Sequence, residues 1–318
     1  MHRPIMVREI LEVLNPQPGE IAVDCTLGYG GHASALLAAV QPGGRLLGVD
    51  ADPIELAKTE ARLRGQGFGA ETLVVKRSNF AGVAKFVAEQ APEGADMLLA
   101  DLGVSSMQID DPARGFSFKT DGPLDMRMNP LRGQSAAALL SKLDVEELAE
   151  LLTENADEPR AAEVAERILK AHERTPLKTT QELAEVVRGT ASRRSASRSS
   201  GGGTSRGSKR SGDDEETEDR VRRVFQALRI AVNDEFGALD ELLRTLPYCM
   251  KPGGRVAILT FHSGEDRRVK QAFKAGLQAG TYEKIAEEVI RASGQERRDN
   301  PRSSSAKLRY AVMAKSET

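Results

Sequence analysis

The stretch IAVDCTLGYGGHASALL, residues 21–37, constrains the fold more than any other part of this chain. Ile21 to Asp24 has the length and apolar character of a buried strand. A turn containing Gly28, Gly30 and Gly31 follows, and an alanine-rich segment of helix-forming composition closes the unit. The same order then recurs. In GGRLLGVDADPIELAKTEARL, a strand over residues 45–49 closes on Asp50, Asp52 stands where a helix cap belongs, and Pro53 suits a first helical turn. TLVVKRSNF and ADMLLADLGVSS add two more short apolar runs, each ending in polar residues. Four β-then-helix units within the first hundred residues predict an α/β fold with a doubly wound parallel sheet.

Gly28, Gly30 and Ala33 fit the pattern GxGxxG/A, and Asp50 closes the second strand 22 residues after Gly28. Glycines let the backbone approach a ligand, a helix start offers free N–H groups, and a carboxylate at the next strand end binds ribose hydroxyls. A nucleoside cofactor follows from this spacing; NAD and S-adenosylmethionine both satisfy it. The fourth run ends in Asp101, so Asp24, Asp50 and Asp101 share the rim at the carboxyl ends of the strands, where open α/β sheets bind ligands. Three carboxylates repel a pyrophosphate and suit a cationic sulfonium, which favours S-adenosylmethionine. His32 opens the helix after the glycines, either as a ligand contact or as a histidine satisfied by local backbone. His262 follows a fifth strand, RVAILTF, on the same rim, and Ser263 with Asp266 reads as an N-cap pair for the next helix.

The character of the chain changes near Asp110. GFSFKTDGPLDMRMNPLRG is rich in Gly, Pro and Asp without a clean period, which predicts an ordered loop. Its Phe116 and Phe118, set among Arg114, Lys119, Arg127 and Arg132, combine stacking surfaces with phosphate-binding cations, a set suited to RNA; the alternative is that the two rings form the loop's own small core. Three helical segments follow, with cap signatures at Asp144 with Glu147 and Thr179 with Glu182. A Ser/Gly/Arg tract and an acidic block over 191–219 lack the apolar surface to offset ordering entropy and are expected to be disordered. Order resumes with a long helix and turn, the fifth strand, another helix, and a last half-exposed strand in KLRYAVMAK. The domains expected are therefore 1–109 with 221–318, and an inserted helical domain over 110–220.

Composition narrows the setting. Forty-five Lys and Arg against 47 Asp and Glu give a net charge of −2, so nucleic-acid binding has to come from local patches. Cys25 and Cys249 are the only cysteines and have no metal-ligand spacing, which points away from zinc and toward a reduced compartment. Charges at Arg3, Arg8, Glu9 and Glu12 interrupt any secretory signal, and no run approaches membrane-spanning length, so a cytoplasmic protein without membrane contact is expected.

Taken in order, several strings resemble the bacterial RsmH/MraW family of S-adenosylmethionine-dependent methyltransferases, which modify N4 of a cytidine in the decoding region of 16S ribosomal RNA. They are HRPI at residues 2–5, TLGYGGH at 26–32, DLGVSSMQ at 101–108, RGFSFKTDGPLDMRM at 114–128, RGQSA at 132–136, FQALRIAVN at 225–233, FHS-EDR from Phe261, and NPRSSSAKLR at 300–309. The resemblance spans nearly the whole chain. It implies a Rossmann-like, seven-stranded methyltransferase domain with S-adenosyl-L-methionine held by Gly30, Gly31, His32, Asp50, Phe80, Asp101 and Gln108, Asp50 on the ribose and Phe80 against the adenine. The segment over 110–220 then helps to grip RNA, through Arg114, Phe116, Phe118, Lys119, Arg127 and Arg132. The implied reaction is direct displacement without a metal, for which Asp101 is the first candidate to accept a hydrogen bond from the reacting amino group, followed by Ser105, Ser106 and His262. The partner implied is 16S rRNA within the small ribosomal subunit, with a homo-oligomer left open. Two rival functions are an NAD-dependent oxidoreductase and a non-catalytic RNA-binding assembly factor with a vestigial cofactor fold. The sequence departs from the family at Cys25 (usually Gly), Ala33 (usually Ser) and Gly264 (usually Leu), and the family's His-Pro-Ala-Thr stretch before Phe225 has given way to the Ser/Gly/Arg and acidic tract.

Overall fold

The computed structural model describes residues 4–189 and 210–315. Eight strands form one sheet: β1 (Ile21–Asp24), β2 (Arg45–Asp50), β3 (Leu73–Arg77), β4 (Ala95–Asp101), β5 (Met250–Thr260), β6 (Tyr282–Ile285), β7 (Ile290–Arg291) and β8 (Lys307–Met313). Seven of them lie in the order β3-β2-β1-β4-β5-β8-β6, and two-residue β7 pairs with β8. β1 to β5 pair in parallel, while β8 runs antiparallel to β5, β6 and β7.

The two-residue period of the strands distributes their apolar side chains over both faces. Val23, Leu47, Val49, Leu98, Ala100, Val256 and Ile258 point to one face. They are covered there by Val83 and Phe86 of the helix Val83–Gln90, Leu239 and Leu242 of Glu235–Thr245, and Val269 and Phe273 of Ser263–Gln278. Ala22, Leu46, Met97, Leu99, Ala257, Leu259 and Leu308 point to the other. Ile10 and Leu14 of Val7–Leu14, Leu36 and Leu37 of Gly31–Ala39, and Leu56 and Leu63 of Pro53–Gly65 cover that side. Helices on both faces explain why the strands read as continuous apolar runs. β8 departs from its expectation as a half-exposed strand: with β5 on one edge and β6 and β7 on the other, Leu308, Arg309, Ala311 and Met313 are buried.

The described residues divide into two compact units, 1–105 with 235–318 and 106–234. The second unit has its own core: Leu148, Leu152, Val164, Ile168, Leu183, Val187, Val221, Val224 and Leu228, contributed by helices Val145–Ala156, Ala161–Arg174, Thr180–Arg188 and Arg210–Asn233. Both anticipated capping boxes are formed, Asp144 with Glu147 and Thr179 with Glu182.

The expected disorder over 191–219 needs correction at its end. Residues 191–209 lie outside the described residues, but 210–219 belong to the helix Arg210–Asn233, which also moves the boundary between the units from 220 to 234. Ion pairing stands in for apolar burial here. Glu218 receives both Nε (2.6 Å) and Nη2 (3.1 Å) of Arg188, Glu216 pairs with Arg220 one turn on at 3.1 Å, and Arg223 reaches the fully buried Glu158 at 2.6 Å. Pairs of this kind support a helix already anchored by its apolar second half.

Candidate active site

Asp24, Asp50 and Asp101 are the last residues of β1, β2 and β4, so the sheet register brings all three to one rim, as the sequence predicts. Thr26 ties two of them together: its N–H donates to Asp24 Oδ1 (3.0 Å), and its hydroxyl accepts from the Asp101 N–H (2.7 Å). Asp50 holds the glycine turn. Its Oδ2 accepts from the Gly28 N–H (2.7 Å) and its Oδ1 from the Asp52 N–H (2.8 Å). Asp52 in turn caps the helix Pro53–Gly65 by accepting from Ile54 N–H at 2.9 Å, with Pro53 in the first turn.

The glycines differ in what they make room for. Gly28 and Gly30 have φ of 45° and 75°, in the left-handed region that favours glycine. A Cβ on Gly30 would stand 2.7 Å from Thr59 Cγ2, and one on Gly31 2.8 Å from Pro4 Cγ, so these two admit neighbouring parts of the chain. A Cβ on Gly28 would meet nothing nearer than 3.7 Å, with Ser105 Cβ at 4.0 Å. A Cβ on Gly28 would thus make only ordinary van der Waals contacts, and its positive φ is what favours glycine there. The helix Pro53–Gly65 braces the turn from below: Thr59 donates its hydroxyl to the Gly28 carbonyl, and the Arg62 guanidinium lies 3.6 Å from the centre of the Tyr29 ring.

Burial acts on all three carboxyl groups. It lifts Asp24 and Asp50 to about 6, although backbone N–H groups donate to both. Asp101 rises to about 7, through burial first and repulsion from Glu265 second. Asp101 Oδ1 is buried and has no hydrogen-bond partner. His32, 8% exposed, sets Nε2 at 2.8 Å from the Ile5 carbonyl oxygen and Nδ1 at 3.5 Å from Asp101 Oδ2. Burial lowers its pKa. Both ring nitrogens therefore face protein groups.

Phe80 opens the turn Phe80–Gly82 after β3 and packs, half-buried, against the core on the Val83 face. His262 is the N-cap residue of the helix Ser263–Gln278, and its ring lies 5.7 Å from that of Phe236. The expected cap pair of Ser263 with Asp266 is corrected by one position. Glu265 reaches back to the N–H of Phe261 (2.8 Å) and of His262 (3.4 Å), whereas Asp266 is taken up by Arg309 Nε (2.7 Å) and Lys307 (3.3 Å). Among the described residues, Glu235, His262 and Glu265 approach one another closely enough to offer three ligand atoms within 4.8 Å, a grouping the sequence does not announce. Gly264 stands where a Cβ would lie 2.6 Å from Phe236 Cζ, so the usual leucine would displace that ring.

Ser106 and Gln108 lie on the first helix of the second unit, Ser106–Asp110, and Gln108 is buried. The loop that follows is ordered, as predicted, and uses much of its RNA-like set internally. Arg114 donates to the carbonyls of Arg127 (3.0 Å) and Met128 (2.8 Å), and Arg127 grips Asp125 with Nε (2.8 Å) and Nη2 (2.7 Å). Phe118 packs edge-on against Phe225 at 5.1 Å, and Phe116 packs half-buried against the same core, so the small-core alternative describes these rings better. Lys119 and Arg132 are exposed, and Leu131 beside Arg132 is 73% exposed.

The model of the MraW methylase family matches residues 1–314. The chain belongs to the MraW methylase family. Among its relatives, the ribosomal RNA small subunit methyltransferase H 2 of Alkaliphilus metalliredigens is 45% identical over 315 residues, covering 99% of this chain and 86% of that protein. Methyltransferase H 1 of Lachnoclostridium phytofermentans is 45% identical over 318 residues, covering 99% and 82%. The corresponding enzyme of a Geobacter species, strain M21, is 40% identical over 323 residues, covering 97% of each. As an MraW methylase the chain is a methyltransferase and its cofactor is S-adenosyl-L-methionine, which sets aside the NAD-dependent reading. The rim fits that cofactor: three strand-end carboxyl groups complement a positive charge and hydroxyl groups, and Asp101 Oδ1 is a buried oxygen without a partner. Among the described residues no helix is long and apolar enough to cross a membrane.

Proposed function

We propose that this MraW methylase transfers a methyl group to the N4 amino nitrogen of a cytidine in the decoding region of 16S rRNA, acting on the small ribosomal subunit. The relatives are ribosomal RNA small subunit methyltransferases by name, and the observation that carries the chemistry is Asp101 Oδ1, a buried carboxyl oxygen at the rim with no partner. S-adenosyl-L-methionine supplies an electrophilic methyl group on a sulfonium. Gly30, Gly31, Asp50, Phe80 and Asp101 of the first unit are the residues that would hold it, with Asp50 on the ribose and Phe80 against the adenine.

The amino nitrogen of cytosine is a poor nucleophile because its lone pair is delocalised into the ring. Asp101 Oδ1 addresses this by accepting a hydrogen bond from N4–H, which orients the group and takes up positive charge as it develops. Thr26 keeps the Asp101 backbone fixed during this step. The target base has to leave its stack to reach the rim. Exposed Lys119 and Arg132 offer cations to phosphate.

The test is methyl transfer to small subunits isolated from cells lacking the modification, followed by mass-spectrometric mapping of the rRNA. One new N4-methylcytidine with the wild-type chain and none with Asp101→Ala supports the reading. Methylation at another atom, or near-normal turnover by Asp101→Ala, overturns it. Binding to subunits without any transfer by the wild type would favour an assembly factor.

A further inference from the structure

We propose that His32 is a positioning residue that decides which oxygen of Asp101 carries a proton, and that it receives that proton during methyl transfer. The inference rests on the assignment of Asp101 as acceptor for N4–H. A carbonyl oxygen can only accept, so the 2.8 Å contact of His32 Nε2 with Ile5 O puts the ring hydrogen on Nε2. In the neutral ring Nδ1 then offers a lone pair, and it faces Asp101 Oδ2 at 3.5 Å. That separation is a few tenths of an ångström longer than a formed hydrogen bond, the kind of contact that tightens when a site is loaded.

The surroundings make the position of the proton matter. Asp24 and Glu296 face His32, and Asp24 and Glu265 face Asp101; each of these neighbours is acidic and favours a proton on the pair. A protonated carboxyl presents one donor and one acceptor. With its hydrogen on Oδ1, Asp101 would point a donor at the amino group and block the reaction. The Nδ1 lone pair opposite Oδ2 draws the hydrogen to that side and leaves Oδ1, the atom without a partner, as the acceptor in either ionisation state.

The relay balances. N4 forms its bond to the methyl carbon while the carbon–sulfur electron pair returns to sulfur, and one N4 proton passes to Asp101 Oδ1. The proton on Oδ2 passes to His32 Nδ1. The positive charge that began on the sulfonium ends on the imidazolium, held at Nε2 by the Ile5 carbonyl until its proton is lost to water. Pro4 against Gly31 and the Met6 N–H donated to Glu296 Oε1 (2.7 Å) fix the segment that presents Ile5.

Two measurements on the full chain test this. The first is the dependence of kcat on pH, from about 6 to about 9, for wild type, His32→Gln and Asp101→Asn on small subunits lacking the methyl group. Gln keeps a donor near Ile5 but cannot take the proton. The expected result is a shallow profile for wild type and, for His32→Gln, a kcat that falls about tenfold per pH unit on the acid side and approaches wild type near pH 9, with KM for cofactor changing far less. An equal loss at every pH, or a wild-type profile, overturns the role of His32 while leaving Asp101 in place. An active Asp101→Asn would instead overturn the assignment on which it rests. The second is 15N NMR of the imidazoles in the wild-type protein, which has four histidines. Hydrogen on Nε2 of His32 is expected; hydrogen on Nδ1 overturns the proposal whether or not a variant folds.

Discussion

The N–H of Gly28 donates to Asp50 Oδ2 at 2.7 Å, so the carboxyl at the end of β2 holds the turn that leaves β1. Its other oxygen accepts from Asp52 at 2.8 Å. Asn at this position has one acceptor oxygen and would turn its amide hydrogens toward one of the two donors. Asp50→Asn is expected to loosen the turn and weaken S-adenosylmethionine binding at least tenfold by calorimetric titration. An unchanged affinity would show that the turn is held without it.

Asp101 gives the fold an unusual pH dependence. Its pKa rises from 3.8 to about 7, so between those values the folded chain binds more protons than the unfolded one, and stability falls as pH climbs through that window. Asp24 and Asp50, lifted to about 6, act in the same direction. Asp101→Asn removes the largest of these contributions. Its Tm is expected to exceed that of wild type by several degrees near pH 8 and to converge with it near pH 4. A variant less stable at every pH would show that the carboxylate is stabilising.

Two arginines of the same loop separate by what they touch. Arg127 is locked to Asp125 through Nε and Nη2, and Arg127→Ala is expected to cost about 1–2 kcal/mol in chemical denaturation. Arg132 is exposed, and Arg132→Ala is expected to leave stability within about 0.5 kcal/mol while weakening binding to small subunits and lowering its salt slope by about one. The reverse pattern would move the RNA contact to Arg127.

Asp52 caps the helix Pro53–Gly65, which braces the glycine turn through Thr59 and Arg62. Asp52→Ala should therefore reduce stability by about 1 kcal/mol and also raise KM for cofactor. Lower stability with an unchanged KM would confine Asp52 to the helix.

The sequence alone determined what depends on near neighbours. Strands ending in Asp24, Asp50 and Asp101, the caps at Asp52, Asp144 and Thr179, and the glycine turn are all set by two-residue and 3.6-residue periods and by cap chemistry a few residues long. Four features were settled only by tertiary structure: the Ile5 carbonyl on His32, Arg188 on Glu218, Phe118 on Phe225, and β6 and β7 on the outer edge of β8. Each joins residues at least 16 apart in the chain, where no local period operates. The same side chain can be a ligand contact, a brace or an ion-pair partner, and folding decides among these by which groups it brings within hydrogen-bonding distance and which it removes from water.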